Sequence, residues 1–164
     1  MNINGAKIGP DVPPYMVAEL SANHGGSIEI AKQSIKLAKE SGANAVKIQS
    51  YTPESMTIKS SKKDFMIHYG IWKGYTLYDL YKEAHTPFEW HEQLFKYAKE
   101  LDITLFSTPF DEKAVDLLQE LNAPAYKIAS FELVDLPLIR RAAGCGKPLL
   151  ISTGMASVSE VRDA

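Results

Sequence analysis

Residues 15–26, YMVAELSANHGG, decide the fold. Met16, Val17 and Ala18 make a short apolar run that reads as a buried strand. The run delivers Glu19 at its end and then breaks into Ser21, Asn23, His24, Gly25 and Gly26. A carboxylate at the C-terminal end of a buried strand, followed by a polar, glycine-containing turn and a helix, is the arrangement on which α/β barrels build their chemistry. The rest of the chain repeats it, and each repeat adds polar groups to the same rim.

Working outward, residues 1–14 are a polar, Pro- and Gly-containing lead-in with room for a short hairpin. After the opening stretch, Ser27 is an N-cap, with Ile30 where a capping box would have Glu. Ile28, Ala31, Ile35 and Ala38 then recur at helical spacing up to Gly42. AVKIQS (45–50) is a second strand. Its Val46 and Ile48 suit the face toward the helices, which leaves Lys47 and Gln49 facing inward. A buried lysine is costly unless it meets an anion. Residues 51–85 have no simple period and hold Tyr51, Phe65, Tyr69, Trp72, Tyr75, Tyr78 and Tyr81. An insertion of this length is functional or carries short helices, Thr76–Ala84 being one candidate. Its aromatics pack it down as a lid, touch substrate, or do both.

Thr86-Pro87-Phe88-Glu89 predicts a helix start with Thr86 as N-cap, running to about Leu101. TLFSTPF (104–110) is a third strand, and Asp111 caps a helix over 112–121. AYKIAS (125–130) is a fourth strand, followed by Glu132. Residues 136–143 form a short helix, PLLISTGM (148–155) is a fifth strand, and Ser157 caps one more helix. Strands alternating with helices predict a parallel sheet. A doubly wound sheet is the competing architecture. No Gly-x-Gly-x-x-Gly follows the first strand, however, and nearly every strand ends in hydrogen-bonding side chains. The expected fold is therefore α/β, the N-terminal portion of a TIM (β/α)8 barrel with about five β/α units. Residues 1–164 form one part-barrel, with the lead-in at 1–14 and the aromatic insertion at 51–85.

Composition bounds the function. The chain has 164 residues, 45% hydrophobic and 23% charged, with a net charge of −2 that offers nucleic acid no basic field. Cys145 is the single cysteine, which excludes an intrachain disulfide, suits a reducing cytoplasm and reads as a small buried residue. No apolar run approaches the roughly 20 residues of a membrane span, and the N-terminus lacks the form of a signal peptide. No membrane partner is expected.

Lys47 and Lys127, on separate strands, converge on one mouth if the sheet is a barrel. Ser107, Thr108, Ser130, Ser152 and Thr153 stand around them. Two ammonium groups with small hydroxyl donors make a phosphate or carboxylate site. A lysine Schiff base is the other use of such a pair, and spacing does not separate the two. Glu19 is the acid/base or metal-assisting carboxylate, or else the ionic partner of a lysine. His24 on the rim reads as a structural hydrogen-bonder. His68, His85 and His91 lie in or beside the insertion without metal-ligand spacing.

These strings resemble a known family. AELSANHGGS, AVKIQSYTPES, FSTPFD, AYKIASFE and ISTGMAS resemble the sialic acid synthases, in that family's order. IWKGYTLYDLYKEAHTPFEWH, KIQSYTP and KIASFE resemble its pseudaminic-acid-forming branch. The resemblance implies a phosphoenolpyruvate-dependent transferase. It would condense phosphoenolpyruvate with 2,4-diacetamido-2,4,6-trideoxy-altrose to give pseudaminic acid and phosphate. N-acetylneuraminate or legionaminic acid synthesis is the neighbouring alternative, and an inactive phosphoenolpyruvate-binding fragment the alternative of another class. By the same resemblance Lys47, Thr108, Lys127, Ser130 and Ser152 hold phosphoenolpyruvate, Glu19 is catalytic, and Gln49 and Glu132 meet the sugar. It also implies a divalent metal (Mn or Mg) in a full-length homodimer. The metal's histidine ligands, the remaining barrel strands and an antifreeze-like domain fall outside these residues. The 164 residues by themselves are expected to be inactive.

Overall fold

Five parallel strands lie side by side in the order in which the chain makes them, in a computed structural model that describes residues 1–164. They are β3 (Val17–Glu19), β4 (Ala45–Ser50), β5 (Thr104–Pro109), β6 (Tyr126–Ile128) and β7 (Leu149–Ile151), preceded by a hairpin of β1 (Asn2–Ile3) and β2 (Ala6–Lys7). A doubly wound sheet reverses its strand order at a switch point. This sheet never does, and it curls as half a barrel.

Helices α1 (Ile28–Glu40), α4 (Phe88–Glu100), α5 (Glu112–Glu120) and α6 (Leu136–Ala143) connect the strands, and α7 (Val158–Asp163) follows the last. Ala31 and Ile35 of α1 and Leu94 and Ala98 of α4 pack on Val46, Ile48 and Leu105. Val115 and Leu118 of α5 and Leu138, Ile139 and Ala142 of α6 cover Tyr126 and Ile128. The helix starts are chemically specified. Ser27, Asp111 and Asp135 accept from the backbone N–H three residues on, and Ser157 with Glu160 forms a full capping box.

The opposite face of the sheet is the barrel interior. At its lower end Ile3 of the hairpin is packed against Ala45, Phe106 and Ala125. Asn4 Nδ2 donates to Thr104 Oγ1 at 3.2 Å, which fixes the hairpin to the start of β5. Ile3 is a hydrophobic plug, and complete burial of such a side chain stabilises by about 1.5–3 kcal/mol.

The insertion carries α2 (Pro53–Met56), a 3₁₀ turn at Lys63–Phe65 and α3 (Leu77–Ala84), with Met66 bridging antiparallel to Thr76. Tyr51 is buried, edge-on to Tyr81 at 5.8 Å and to Phe110 at 5.5 Å between ring centroids. Tyr69 and Ile71, by contrast, stand in solvent. The aromatics thus pack the foot of the insertion and not its tip.

Four expectations need correction. Met16 and Val17 are exposed rather than buried, because β3 is an edge strand with β4 on one side only. The fourth and fifth strands are short, ending at Ile128 and Ile151, because the chain bends at Ser130 into the 3₁₀ turn 131–134 and turns at Gly154–Met155. Thr86 does not cap α4: Pro87 occupies that position with no side-chain cap, and the Thr86 hydroxyl contacts His24 instead. Cys145 is half-buried, with Arg141 Nη1 donating to its sulfur at 3.4 Å. No helix is long and apolar enough to cross a membrane.

Candidate active site

Strand register sets the site. Glu19 lies opposite Lys47, and Gln49 opposite Thr108, so the polar residues reach the same C-terminal end of the sheet. Lys47 Nζ is ion-paired with Glu19 Oε2 and donates to Thr108 Oγ1 at 3.3 Å. Glu19 Oε1 accepts from the backbone N–H of Ser21 at 3.1 Å. Ser21 adopts the left-handed region (φ 50°), which costs an ordinary residue about 1 kcal/mol. The turn thereby aims that N–H back at the carboxylate. Both oxygens of Glu19 are held, one by charge and one by the backbone.

Lys127 Nζ donates to Ser152 Oγ and to the Ile128 carbonyl, each at 2.6 Å. Its proton affinity is lowered, first by burial and then by the nearby Lys47 charge, while Glu19 and Glu132 oppose the shift. Glu132 follows Ser130 in the 3₁₀ turn Phe131–Val134. One of its oxygens, Oε2, is buried with no hydrogen-bond partner. Burial, with Asp135 adding to it, raises the Glu132 carboxyl above the usual range, and Lys127 offsets part of this. An unpartnered buried carboxyl oxygen near Lys127 is a group open to a ligand.

The structure therefore brings together Glu19, Lys47, Thr108, Lys127 and Ser152 directly, with half-buried Gln49 in register and Ser130 and Glu132 in the adjoining turn. Ser107 does not join them. It is fully buried on the helix side, donating to the Ile48 carbonyl at 3.1 Å and touching Ser50 Oγ at 2.6 Å. Adjacent strand residues face opposite ways, so Thr108 at the mouth requires Ser107 behind the sheet. Thr153 points to solvent.

Sequence reasoning missed His91. It is completely buried, with Nε2 at 2.7 Å from Ser50 Oγ and Nδ1 at 3.0 Å from the Pro87 carbonyl. The signal was its place in the periodic stripe with Leu94 and Ala98. His24 is structural, as expected. Gly26 N–H donates to its Nδ1 at 3.1 Å, and its Nε2 meets Thr86 Oγ1 at 3.3 Å.

Burial lowers the proton affinity of both His24 and His91 from the ordinary 6.5. The unfolded chain then binds protons that the folded one does not. Stability from the neutral rings is complete above pH 6.5 and is lost as the pH falls through their folded values. Melting temperatures of the complete encoded protein are expected to fall from pH 7.5 to pH 5.5. Equal melting temperatures at the two values would refute this.

The divalent cation implied by the resemblance finds no ligand set in this chain, since no three His, Cys, Asp or Glu side chains converge. No step is assigned to it below.

Comparison with known proteins bears on the family and the fold. Residues 34–164 match the NeuB family. The chain is 51% identical to the pseudaminic acid synthase of Helicobacter pylori, over 93% of this chain and 45% of that protein. It is 48% identical to that of Campylobacter jejuni, over 92% of this chain and 44% of that protein. Among solved structures it matches the N-acetylneuraminic acid synthetase of Leptospira borgpetersenii, solved with citrate, with a TM-score of 0.85 and 29% identity over 99% of this chain and 52% of that one. The chain spans a little under half the length of the curated relatives it matches.

Proposed function

The chain belongs to the NeuB family, and we propose that it supplies the phosphoenolpyruvate half of a nonulosonic acid synthase site, of the pseudaminic type. The observation that carries this is the meeting of Lys47 and Lys127, with Thr108 and Ser152, at one end of a parallel half-barrel. Phosphoenolpyruvate carries a phosphate and a carboxylate. Two ammonium groups answer that charge, and the hydroxyls of Thr108, Ser130 and Ser152 orient the oxygens. Gln49 and the unpartnered Glu132 face the amino sugar.

In the proposed reaction the enol carbon of phosphoenolpyruvate attacks the aldehyde carbon of the open-chain sugar: the new C–C bond forms as the C=O π bond breaks, C2 is left as an oxocarbenium, and the aldehyde oxygen gains a proton that is balanced by the one water gives up to Glu19. Water adds at C2, and Glu19, held at both oxygens, takes its proton. The tetrahedral intermediate loses inorganic phosphate by C–O cleavage, leaving the 2-keto acid. Lys127 follows the leaving charge. We place the complete protein in the cytoplasm, which the single cysteine suits, as the homodimer that the resemblance implies.

A second reading has its own observation. The lowered proton affinity of Lys127, next to another cation, is what a Schiff-base lysine needs. One experiment separates the readings in the complete encoded protein. Phosphate release is followed with phosphoenolpyruvate and either 2,4-diacetamido-2,4,6-trideoxy-altrose or N-acetylmannosamine, with borohydride added in a parallel arm. The diacetamido sugar is expected to react faster by more than about tenfold, since missing partners for buried polar groups discriminate strongly. No lysine adduct should form. Preference for N-acetylmannosamine would refute the pseudaminic assignment, and an adduct at Lys127 would replace C–O cleavage by the Schiff-base route.

A further inference from the structure

The insertion leaves the barrel at Ser50 and returns at Thr86–Pro87, and one buried side chain touches both of its feet. His91 Nε2 lies 2.7 Å from Ser50 Oγ, and its Nδ1 lies 3.0 Å from the Pro87 carbonyl. A carbonyl can only accept, so Nδ1 carries the hydrogen and the neutral ring's Nε2 accepts from the Ser50 hydroxyl. With its own hydrogen on His91, Ser50 Oγ accepts from Ser107, whose single hydroxyl hydrogen is shared between Ser50 Oγ at 2.6 Å and the Ile48 carbonyl at 3.1 Å. The chain of bonds lies wholly on the helix side of β4 and β5.

The other side of those strands is the site. Ser50 follows Gln49 and Ser107 precedes Thr108, and Gln49 and Thr108 are register partners. Any shift of Ser50 or Ser107 behind the sheet displaces Gln49 or Thr108 in front of it. Tyr51, next in line, is packed on Tyr81 of α3 and on Phe110 just beyond β5. The exit foot is tied a second time by His24 Nε2 to Thr86 Oγ1 at 3.3 Å.

We propose that His91 is a positioning residue that clamps the neck of the 51–85 insertion and, through Ser50, fixes the adjacent Gln49 for the sugar substrate. This rests on the synthase reading for its kinetic consequence, though not for the clamp itself. Of the phosphoenolpyruvate groups only Thr108 lies next to these bonds, and Lys47 holds it from the front, while Lys127 and Ser152 are bonded to each other. Loosening the clamp therefore weakens the sugar more than phosphoenolpyruvate.

The test uses His91→Asn in the complete encoded protein. Its amide nitrogen can keep the Pro87 bond but cannot reach Ser50. Hydrogen exchange of peptides covering 51–85 is expected to quicken roughly tenfold, as for a local opening that has lost one buried bond. The sugar KM should rise about tenfold, with the phosphoenolpyruvate KM within about twofold. Ser50→Ala, which breaks the same bond from the other end, should do likewise, and the double variant should be no worse than either single one. It also serves if His91→Asn fails to fold. A folded variant with unchanged exchange and unchanged sugar KM would overturn the proposal, and so would an equal rise in both KM values. If the parent protein turns over neither sugar, the synthase reading fails, and the exchange of 51–85 still decides the clamp.

Discussion

Lys127→Ala in the complete encoded protein is expected to lose measurable phosphoenolpyruvate binding and at least about a thousandfold in kcat/KM. Removing one preorganised donor from a forming anion typically costs 10²–10³-fold, and this donor is also a full charge. The structure supports so large an effect because Lys127 has no carboxylate bound to it. Its ammonium donates only to Ser152 and the Ile128 carbonyl. Lys47, by contrast, is already paired with Glu19. Lys127 is thus the ammonium left free for the ligand's charge. Lys127→Arg should recover little, because a planar fork does not occupy the place of a point charge. Calorimetric titration with phosphoenolpyruvate checks the binding half of the prediction. Binding that survives Lys127→Ala would remove this lysine from the site.

The second large effect concerns residues 1–164 expressed alone, which are expected to self-associate or remain molten rather than form a cooperative monomer. β3 and β7 are each paired on one side only. Val17 and Ile151, at those two edges, are 37% and 38% exposed. Phe131 and Val134 of the 3₁₀ turn before β7, Met155 in the turn after it and Val158 of α7, which packs near that 3₁₀ turn, are each more than half exposed. An apolar strand edge flanked by an apolar patch is a template for other chains. Sedimentation velocity and thermal unfolding of the isolated chain decide the matter. A monodisperse monomer with a sharp melt would show that the half-barrel sustains itself.

Legibility in the sequence followed the strength of the local pattern. AVKIQS alternates cleanly, so Lys47 and Gln49 could be assigned to the interior from their neighbours alone. TLFSTP does not alternate, and every residue of β5 is buried. Which of Ser107 and Thr108 faces the mouth is then a matter of register with β4, a pairing that residue types do not encode. Edge exposure of β3 was invisible for a similar reason: hydrophobicity reports that a strand wants a partner, not that it has one. His91 was passed over because a histidine on an amphipathic helix is usually read for its own chemistry. Its importance lies in what stands at its two nitrogens, residues 41 positions upstream and 4 upstream. Thr86 carried every mark of an N-cap, yet its hydroxyl went to the tertiary partner His24.

The plug at the foot of the half-barrel has a consequence for synthesis. Ile3 is made about 120 residues before Ala125, part of the wall it seats against. At ordinary elongation rates that interval is on the order of ten seconds. Throughout it the hairpin of β1 and β2 has only its own turn to hold it. Residues made before the wall they seat against are thus among the last to find their place, and Ile3 stays exposed until the half-barrel forms around it.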